Sequence, residues 1–353
     1  LKPLLMSTSI SSLSLPCAAD QADDFVSRPQ KQVLEAMRGI KGDVMVLGAG
    51  GKMGLHLCLM LRKAFQALGS SQRVIAVSRF NGLRSTDVFE SGGIETISCD
   101  FTDAPALEML PSIPNIIYMA GAKFGTADNL GLLHKMNVEI PQKIAERFQK
   151  ARIVVFSTGC VYSFVSPESG GSTEASPTSP PGEYAQSCLG RERAFEKVSL
   201  EHNTPIAFIR LNYAVEFHYG VLVDICQKVM RDESVDVSMG YVNVIWQGDA
   251  VAYSLMALLH CSSPPFILNV AGPEILSVRD LALRFGKLLG KEPRFTGQEE
   301  PVAWLNNAKK SRDLFGLSEV SADQMIKWVA AWLSTSGSTY GKPTGFQIRD
   351  GKY

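Results

Sequence analysis

The chain has no surplus of either charge: across 353 residues, 35 Lys and Arg balance 35 Asp and Glu. Without a basic excess or a long like-charge block, nothing draws it electrostatically to nucleic acid or an anionic membrane. No run of 18 apolar residues occurs, so no membrane-spanning helix is expected. The five histidines are isolated, and the seven cysteines (Cys17, Cys58, Cys99, Cys160, Cys188, Cys226, Cys261) form no Cys-x-x-Cys pair and no Cys/His cluster. No metal site is therefore expected. Several cysteines lie in apolar runs, where the thiol behaves as a small hydrophobe. They read as reduced thiols of a cytoplasmic protein. Residues 1–19 contain Lys2, leucines and serines but no continuous apolar core like that of an export signal. They read as a frayed tail or an over-extended start, with Met6 as the alternative beginning. No internal repeat is present.

What the chain does have is apolar residues, 45% of the total and enough for a sizeable core, and a regular alternation of strand and helix patterns. Val44–Leu47, Val74–Val77, Ile94–Ile97, Asn115–Met119 and Ile153–Phe156 read as short strands, many of them dense in β-branched residues. Helices are predicted over 52–68 and 129–149, the latter with Leu130, Leu133, Asn137, Ile140 and Ile144 near one face. Strands buried on both faces and separated by helices predict an α/β fold: a doubly wound parallel Rossmann sheet. A Ser/Pro/Gly-rich loop at 163–182 is followed by a predicted helix over 183–200 and a strand over 206–211. After Asn212 the rhythm changes. Helices are expected over 221–231, 249–259, 278–289 and 322–333, with strand-like segments at 235–237 and 242–246.

The expected organisation is an N-terminal tail and helix (1–41), a dinucleotide-binding domain (42–211, with 242–260 returning to it) and a mostly helical substrate lobe (212–336). A loose tail (337–353) completes it.

Val44-Met-Val-Leu-Gly48-Ala-Gly50-Gly51-Lys52-Met53-Gly54 is the most informative stretch. Gly48 permits a tight strand-to-helix turn. Gly51 lets backbone approach a pyrophosphate, and Gly54 lets the helix pack against the strand. The free N–H groups and partial positive charge of the helix start then face the anion. The run follows an apolar strand and opens a helix, which is the context this motif requires. Gly48, Gly50, Gly51, Lys52, Met53 and Gly54 are thus expected to hold a nicotinamide cofactor. After the second strand stand Ser78 and Arg79 with no acid. An acid would bind ribose hydroxyls and an arginine a 2′-phosphate, so NADP is favoured over NAD. Asp100, after the third strand, is placed to accept from the adenine amino group or to cap the next turn.

With these elements in place, the chain resembles the extended short-chain dehydrogenase/reductases, the NAD-dependent epimerases and dehydratases, from about Gly42 to Leu333. The resemblance rests on the glycine turn, Tyr118-Met-Ala120-Gly121-Ala-Lys123, Asn137-Val138, Phe156-Ser-Thr158-Gly-Cys-Val161-Tyr162 and Tyr184-Ala-Gln-Ser-Cys188. It implies that Ala120, Gly121 and Lys123 line the cofactor and that Asn137 organises the site. It also implies that Thr158 donates to a substrate oxygen and that Tyr184 moves a proton while hydride moves to or from the nicotinamide. Asn212, and with it His218, falls where substrate contacts lie. Members of the family commonly form homodimers by packing the Asn137-type and Tyr184-type helices together, and they act on sugars or nucleotide-sugars.

One position departs from the pattern. The family expects Lys four residues after the tyrosine, and this chain has Cys188. The lysine lowers the tyrosine pKa and grips the nicotinamide ribose. A free tyrosine ionises near pH ~10, so bringing it to neutrality needs about 4 kcal/mol of differential stabilisation. Arg191, on the same helical face, and Lys123, from the nicotinamide side, are the candidate substitutes. Two readings follow: an oxidoreductase, epimerase or dehydratase acting on a sugar carbinol, or a cofactor-binding sensor or scaffold that has lost hydride transfer. Trp304-Leu-Asn306-Asn307 is a polar-aromatic segment suited to a ligand or partner contact.

Overall fold

A computed structural model describes residues 15–16, 18–123, 129–316, 319–335 and 337–351. Most of the expected N-terminal tail, residues 1–14 and Cys17, lies outside the described residues. Two short helices, α1 (Ala19–Val26) and α2 (Lys31–Arg38), precede the first strand. Then come β1 (Val44–Leu47), α3 (Gly54–Ala67), β2 (Val74–Ser78), α4 (Thr86–Ser91), β3 (Glu95–Ser98), α5 (Ala104–Glu108) and β4 (Asn115–Tyr118). The next helix is built in three pieces. α6 (Leu130–His134) passes through a π-helical turn, Lys135–Glu139, into α7 (Ile140–Arg147). β5 (Arg152–Thr158), α8 (Glu183–His202) and β6 (Ile206–Leu211) follow.

Beyond residue 212 the strands are short: β7 (Ala214–Val215), β8 (Ser234–Asp236), β9 (Tyr241–Val242) and β10 (Ile245–Trp246). Between and after them lie α9 (Val221–Met230) and α10 (Gln247–Met256), and β11 (Phe266–Val270) returns to the main sheet. The chain ends with β12 (Leu276–Ser277), α11 (Val278–Leu289), β13 (Arg294–Thr296), α12 (Lys309–Phe315) and α13 (Ala322–Ser334).

Seven strands form one parallel sheet in the order β11-β6-β5-β4-β1-β2-β3. β1, β4 and all but the terminal residues of β5 are buried, which explains why they read as continuous apolar runs rather than alternating ones. Successive strands add outward from β1 toward β3, and β4 then starts the other half on the opposite side of β1. That reversal leaves a crevice at the carboxyl ends of β1 and β4, where α/β sheets bind ligands.

Two apolar cores cover the faces of the sheet. One joins α2, α3 and α10 to the sheet, and the other joins α5, α7 and α8. A third core belongs to the C-terminal lobe and takes in Phe25 of α1, whose ring packs against Phe217, Trp246 and Trp328. Fully burying one such side chain contributes roughly 1.5–3 kcal/mol, so α1 is part of the lobe's foundation.

The C-terminal segment corrects an expectation: residues 337–351 are not loose. The Tyr340 ring stacks on His218 at a 10° interplanar angle. Thr344 donates from its backbone N–H (2.7 Å) and hydroxyl (2.6 Å) to Asp224. Phe346 is buried in the lobe's core, and Arg349 donates to the Val302 carbonyl at 2.8 Å. These anchors lie more than 40 residues away in sequence, so a compositional reading had no local pattern to find.

Candidate active site

The glycine turn forms as its spacing predicts. Gly48 has φ +90°, and a Cβ there would stand 2.5 Å from the Ala120 backbone nitrogen. A Cβ on Gly54 would collide with the Ala49 carbonyl, and one on Gly50 would approach the Ser78 hydroxyl to 2.6 Å. Those three glycines answer to the protein's own packing. Gly51 does not. Its φ is not positive, and a Cβ would make only an ordinary 3.5 Å contact with the Gly48 carbonyl. That Cβ would fill part of the cavity Gly51 lines, so its absence leaves a cradle for a ligand to approach the backbone. The residues therefore fit a dinucleotide.

The cavity holds about 400 Å³ and joins the turn to the proposed chemistry. Its walls include Gly48, Gly51, Lys52, Met53, Gly54, Gly121 and Lys123 on the sheet side, with Thr158 and Tyr184 beside them. Asn212, Tyr213 and Tyr219 approach from the lobe, and Thr344 from the C-terminal segment. Thr158 ends β5, and its hydroxyl accepts from the Cys160 backbone N–H at 3.2 Å, which fixes the side chain at the cavity edge.

Asn137, in the π-helical turn, lies behind this wall rather than in it. Its side chain donates to the Ala122 carbonyl (2.8 Å) and the Ser187 hydroxyl (2.9 Å) and accepts from the Ala122 N–H (2.8 Å). It thereby sets the path of the Ala120–Lys123 strand exit. π-turns recur where a helix must reposition one functional residue.

Cys188 is wholly buried one helical turn after Tyr184, among Val161, Tyr162 and Leu189. Burial pushes the Tyr184 pKa well above its ordinary value, the neighbouring Cys188 and Cys160 thiols add to the effect, and Arg191 opposes it. Arg191 is close enough to lower the Tyr184 pKa, but its hydrogen bonds go elsewhere. Its guanidinium is buried and donates to Asn137 Oδ1 (2.8 Å) and the Phe156 carbonyl (2.9 Å). It fills the space beneath Gly121, where an added Cβ would collide with it. Lys123 holds its ammonium 5.5 Å from the Tyr184 ring centre and 3.4 Å from the Thr344 carbonyl. Burial draws the Lys123 pKa down, and its neighbours Cys160, Cys188 and Asp224 oppose that shift.

Other expected residues fall in different places. Ala120 sits at the crevice floor against Gly48. Arg79 and Asp100 lie outside the cavity at the exposed end of β2, 3.9 Å apart, and Asp100 accepts from the Thr102 N–H (2.9 Å) and hydroxyl (2.8 Å). Asn212 lines the cavity while donating to Asn243 Oδ1 (2.8 Å) and the Trp304 carbonyl (3.1 Å). His218 does not line it. Its ring is buried between Tyr340 and Trp332, with Nδ1 2.8 Å from Glu216 Oε2, which removes it as a substrate contact.

The Trp304–Asn307 segment is an internal tie. Ala303 pairs with Val165, and the Asn306 carbonyl accepts from Asn243 at 2.6 Å. Below the site a buried network joins Glu192 to Arg210 (2.7 Å) and to Ser157 (2.5 Å), with Arg210 also donating to the Tyr162 hydroxyl (2.8 Å). Among the described residues no group of His, Cys, Asp and Glu is arranged to hold a metal ion, and no helix is long and apolar enough to cross a membrane.

Residues 44–215 match the family model described as the NAD dependent epimerase/dehydratase family. This segment belongs to that family. No curated relative matches the chain by sequence. Among solved structures, the chain is similar to MoeE5 in complex with UDP-glucuronic acid and NAD, at 19% identity and TM-score 0.68, over 84% of this chain and 100% of that one. It is similar to the UDP-glucuronic acid 4-epimerase from Bacillus cereus (16% identity, TM-score 0.69, 83% and 99% covered). The epimerase Mth375 from Methanothermobacter thermautotrophicus gives 17% identity and TM-score 0.71, over 87% and 96%. At these identities the likeness establishes the shared extended fold. Tyr219, next to His218 in the stretch expected to hold substrate contacts, lines the cavity, and the joint placement of Lys52 and Thr344 is what sequence reasoning missed. Lys52 was visible only as part of the glycine motif, and Thr344 lay in the segment read as loose.

Proposed function

We propose that the protein is a nicotinamide-dependent epimerase- or dehydratase-like oxidoreductase acting at a carbinol of a sugar or nucleotide-sugar. The carrying observation is that Thr158 and Tyr184 share one cavity with the Gly48–Gly54 turn. A bound nicotinamide would supply a place for hydride to go and return from. Thr158 donates from its hydroxyl to the substrate oxygen, and Tyr184 exchanges a proton with that oxygen. Because burial holds Tyr184 protonated, it works most readily as the donor. Asn137 and Arg191 act as positioning residues for the wall that carries Lys123.

The absence of an acid after β2, together with Arg79, favours NADP over NAD, although Asp100 competes for the guanidinium. The free thiols among the described residues suit a reducing, cytoplasmic setting. Exposed Leu130 and Leu132 on α6 and Leu200 on α8 suit a homodimer through these helices.

The second reading, a cofactor-binding sensor or scaffold without hydride transfer, draws on Cys188 in place of the expected lysine and on the raised Tyr184 pKa. Turnover measured with a panel of sugars, sugar acids and nucleotide-sugars separates the two. Change in nicotinamide absorbance with at least one substrate is expected. Silence across the panel, with cofactor bound, favours the sensor.

A further inference from the structure

Resting on that reading, we infer that Gln247 is a cofactor-binding residue. Its side-chain oxygen accepts a hydrogen bond from a neutral N–H or O–H donor on the nicotinamide half of the dinucleotide. Gln247 opens α10, is only 2% exposed and lines the cavity. Its amide is aimed from behind by a buried chain of polar groups. The Asp23 carboxylate, paired with Arg84 at 2.7 Å, lies 2.8 Å from Nε2 of the fully buried His56. A carboxylate only accepts, so Nε2 carries the hydrogen and the Nδ1 lone pair is left as an acceptor. Nδ1 then needs a donor, and Gln247 Nε2 meets it. The amide oxygen is thereby turned the other way.

That oxygen, Oε1, has no hydrogen-bond partner among the described residues, yet protein atoms do not seal it off. The cavity is where the residue opens, so Oε1 faces a ligand. A half-used buried amide costs stability until something completes it. Two observations assign the completing donor to the dinucleotide. His56 stands two residues after Gly54 on α3, so the chain that aims Gln247 is anchored on the helix the glycine turn opens. Arg79 and Asp100, expected at the adenine end, lie outside the cavity, which leaves the nicotinamide half inside it beside Thr158 and Tyr184. That half offers neutral donors, the carboxamide N–H and the ribose hydroxyls, and an amide oxygen takes either without a buried charge. Asp23 and His56 act as positioning residues.

The test is calorimetric titration of NADH, NADPH and ADP into wild type, Gln247→Met, Gln247→Leu, His56→Leu and the combination of His56→Leu with Gln247→Met. Tm is measured on each sample, and ADP supplies the adenine half alone. Losing one neutral hydrogen bond should weaken whichever dinucleotide wild type takes up by about three- to tenfold in both Gln247 variants, with ADP affinity unchanged. His56→Leu should weaken it similarly and lower Tm, but add no further loss of affinity in the combination. A merely structural histidine would add its own loss. Unchanged dinucleotide affinity in both Gln247 variants overturns the inference and leaves Oε1 to water. So does an ADP loss as large as the dinucleotide loss, or an additive combination. UDP-glucose titrated into dinucleotide-saturated protein examines the other source of donors: a loss confined to UDP-glucose assigns Gln247 to the substrate and overturns the cofactor contact. If wild type takes up neither dinucleotide, the proposed function fails and this inference with it. If uptake is normal and the Gln247 variants match wild type, only the inference fails.

Discussion

At the scale of single residues, the proposed site places Tyr184 without the family's usual cation one turn later. Tyr184 is half-buried and Cys188 fully buried; desolvation raises both pKa values, Cys188 adds to the rise at Tyr184, and the hydrogen bond to Tyr184 opposes the rise at Cys188. Arg191 brings positive charge to this region, but it is committed to Asn137 and the Phe156 carbonyl. The space a lysine would need is already filled by Val161, Tyr162 and Leu189. Cys188→Lys should therefore destabilise the fold by at least about 1–3 kcal/mol, the range for an overpacked core, and add an ammonium beside Lys123 and Arg191. Thermal unfolding and turnover measured together check this: a lower Tm with no gain in turnover is expected. A stable variant with markedly higher turnover would mean that the present site is a damaged version of the ordinary one. The sequence exposed the substitution itself and named Arg191 as a compensating candidate. It could not show that Arg191 spends its donors on the positioning asparagine, because that depends on contacts more than 30 residues apart.

At the scale of elements, the strands and long helices were legible because each carries its own period. The predicted helices over 278–289 and 322–333 are found at Val278–Leu289 and Ala322–Ser334. The π-helical turn was hidden inside an otherwise regular pattern, since one extra residue per turn leaves little trace in hydropathy. The C-terminal segment was illegible for another reason: Asp224, His218 and Val302 hold it from outside its own sequence. α6, α7 and α8 pack side by side and expose Leu130, Leu132 and Leu200. Burying those leucines between two copies is the simplest source of a dimer. Sedimentation at micromolar concentration should give a dimer, converted toward monomer by Leu130→Glu with Leu132→Glu. A wild-type monomer would contradict the arrangement.

At the scale of the whole molecule, the lobe, the sheet, α1 and the segment 337–351 are tied to one another around one crevice. Asp23 of α1 lies 2.8 Å from His56 on α3 and 2.7 Å from Arg84, which donates at 2.9 Å to the Tyr340 hydroxyl. The N-terminal helix and the C-terminal segment are thereby tied together beside the cavity. No local pattern in the sequence marks this closure, which joins residues more than 250 positions apart.

The proposed function requires the glycine turn to receive a dinucleotide, and at Gly51 a side chain would meet no tight packing within the fold. Calorimetric titration of NADH and NADPH into wild type and Gly51→Ala is the most direct test. Wild type should take up at least one dinucleotide, and Gly51→Ala, with an unchanged Tm, should bind it at least about tenfold more weakly, about 1.4 kcal/mol. A folded wild-type protein that takes up neither, or a Gly51→Ala variant that binds as well as wild type, would contradict it.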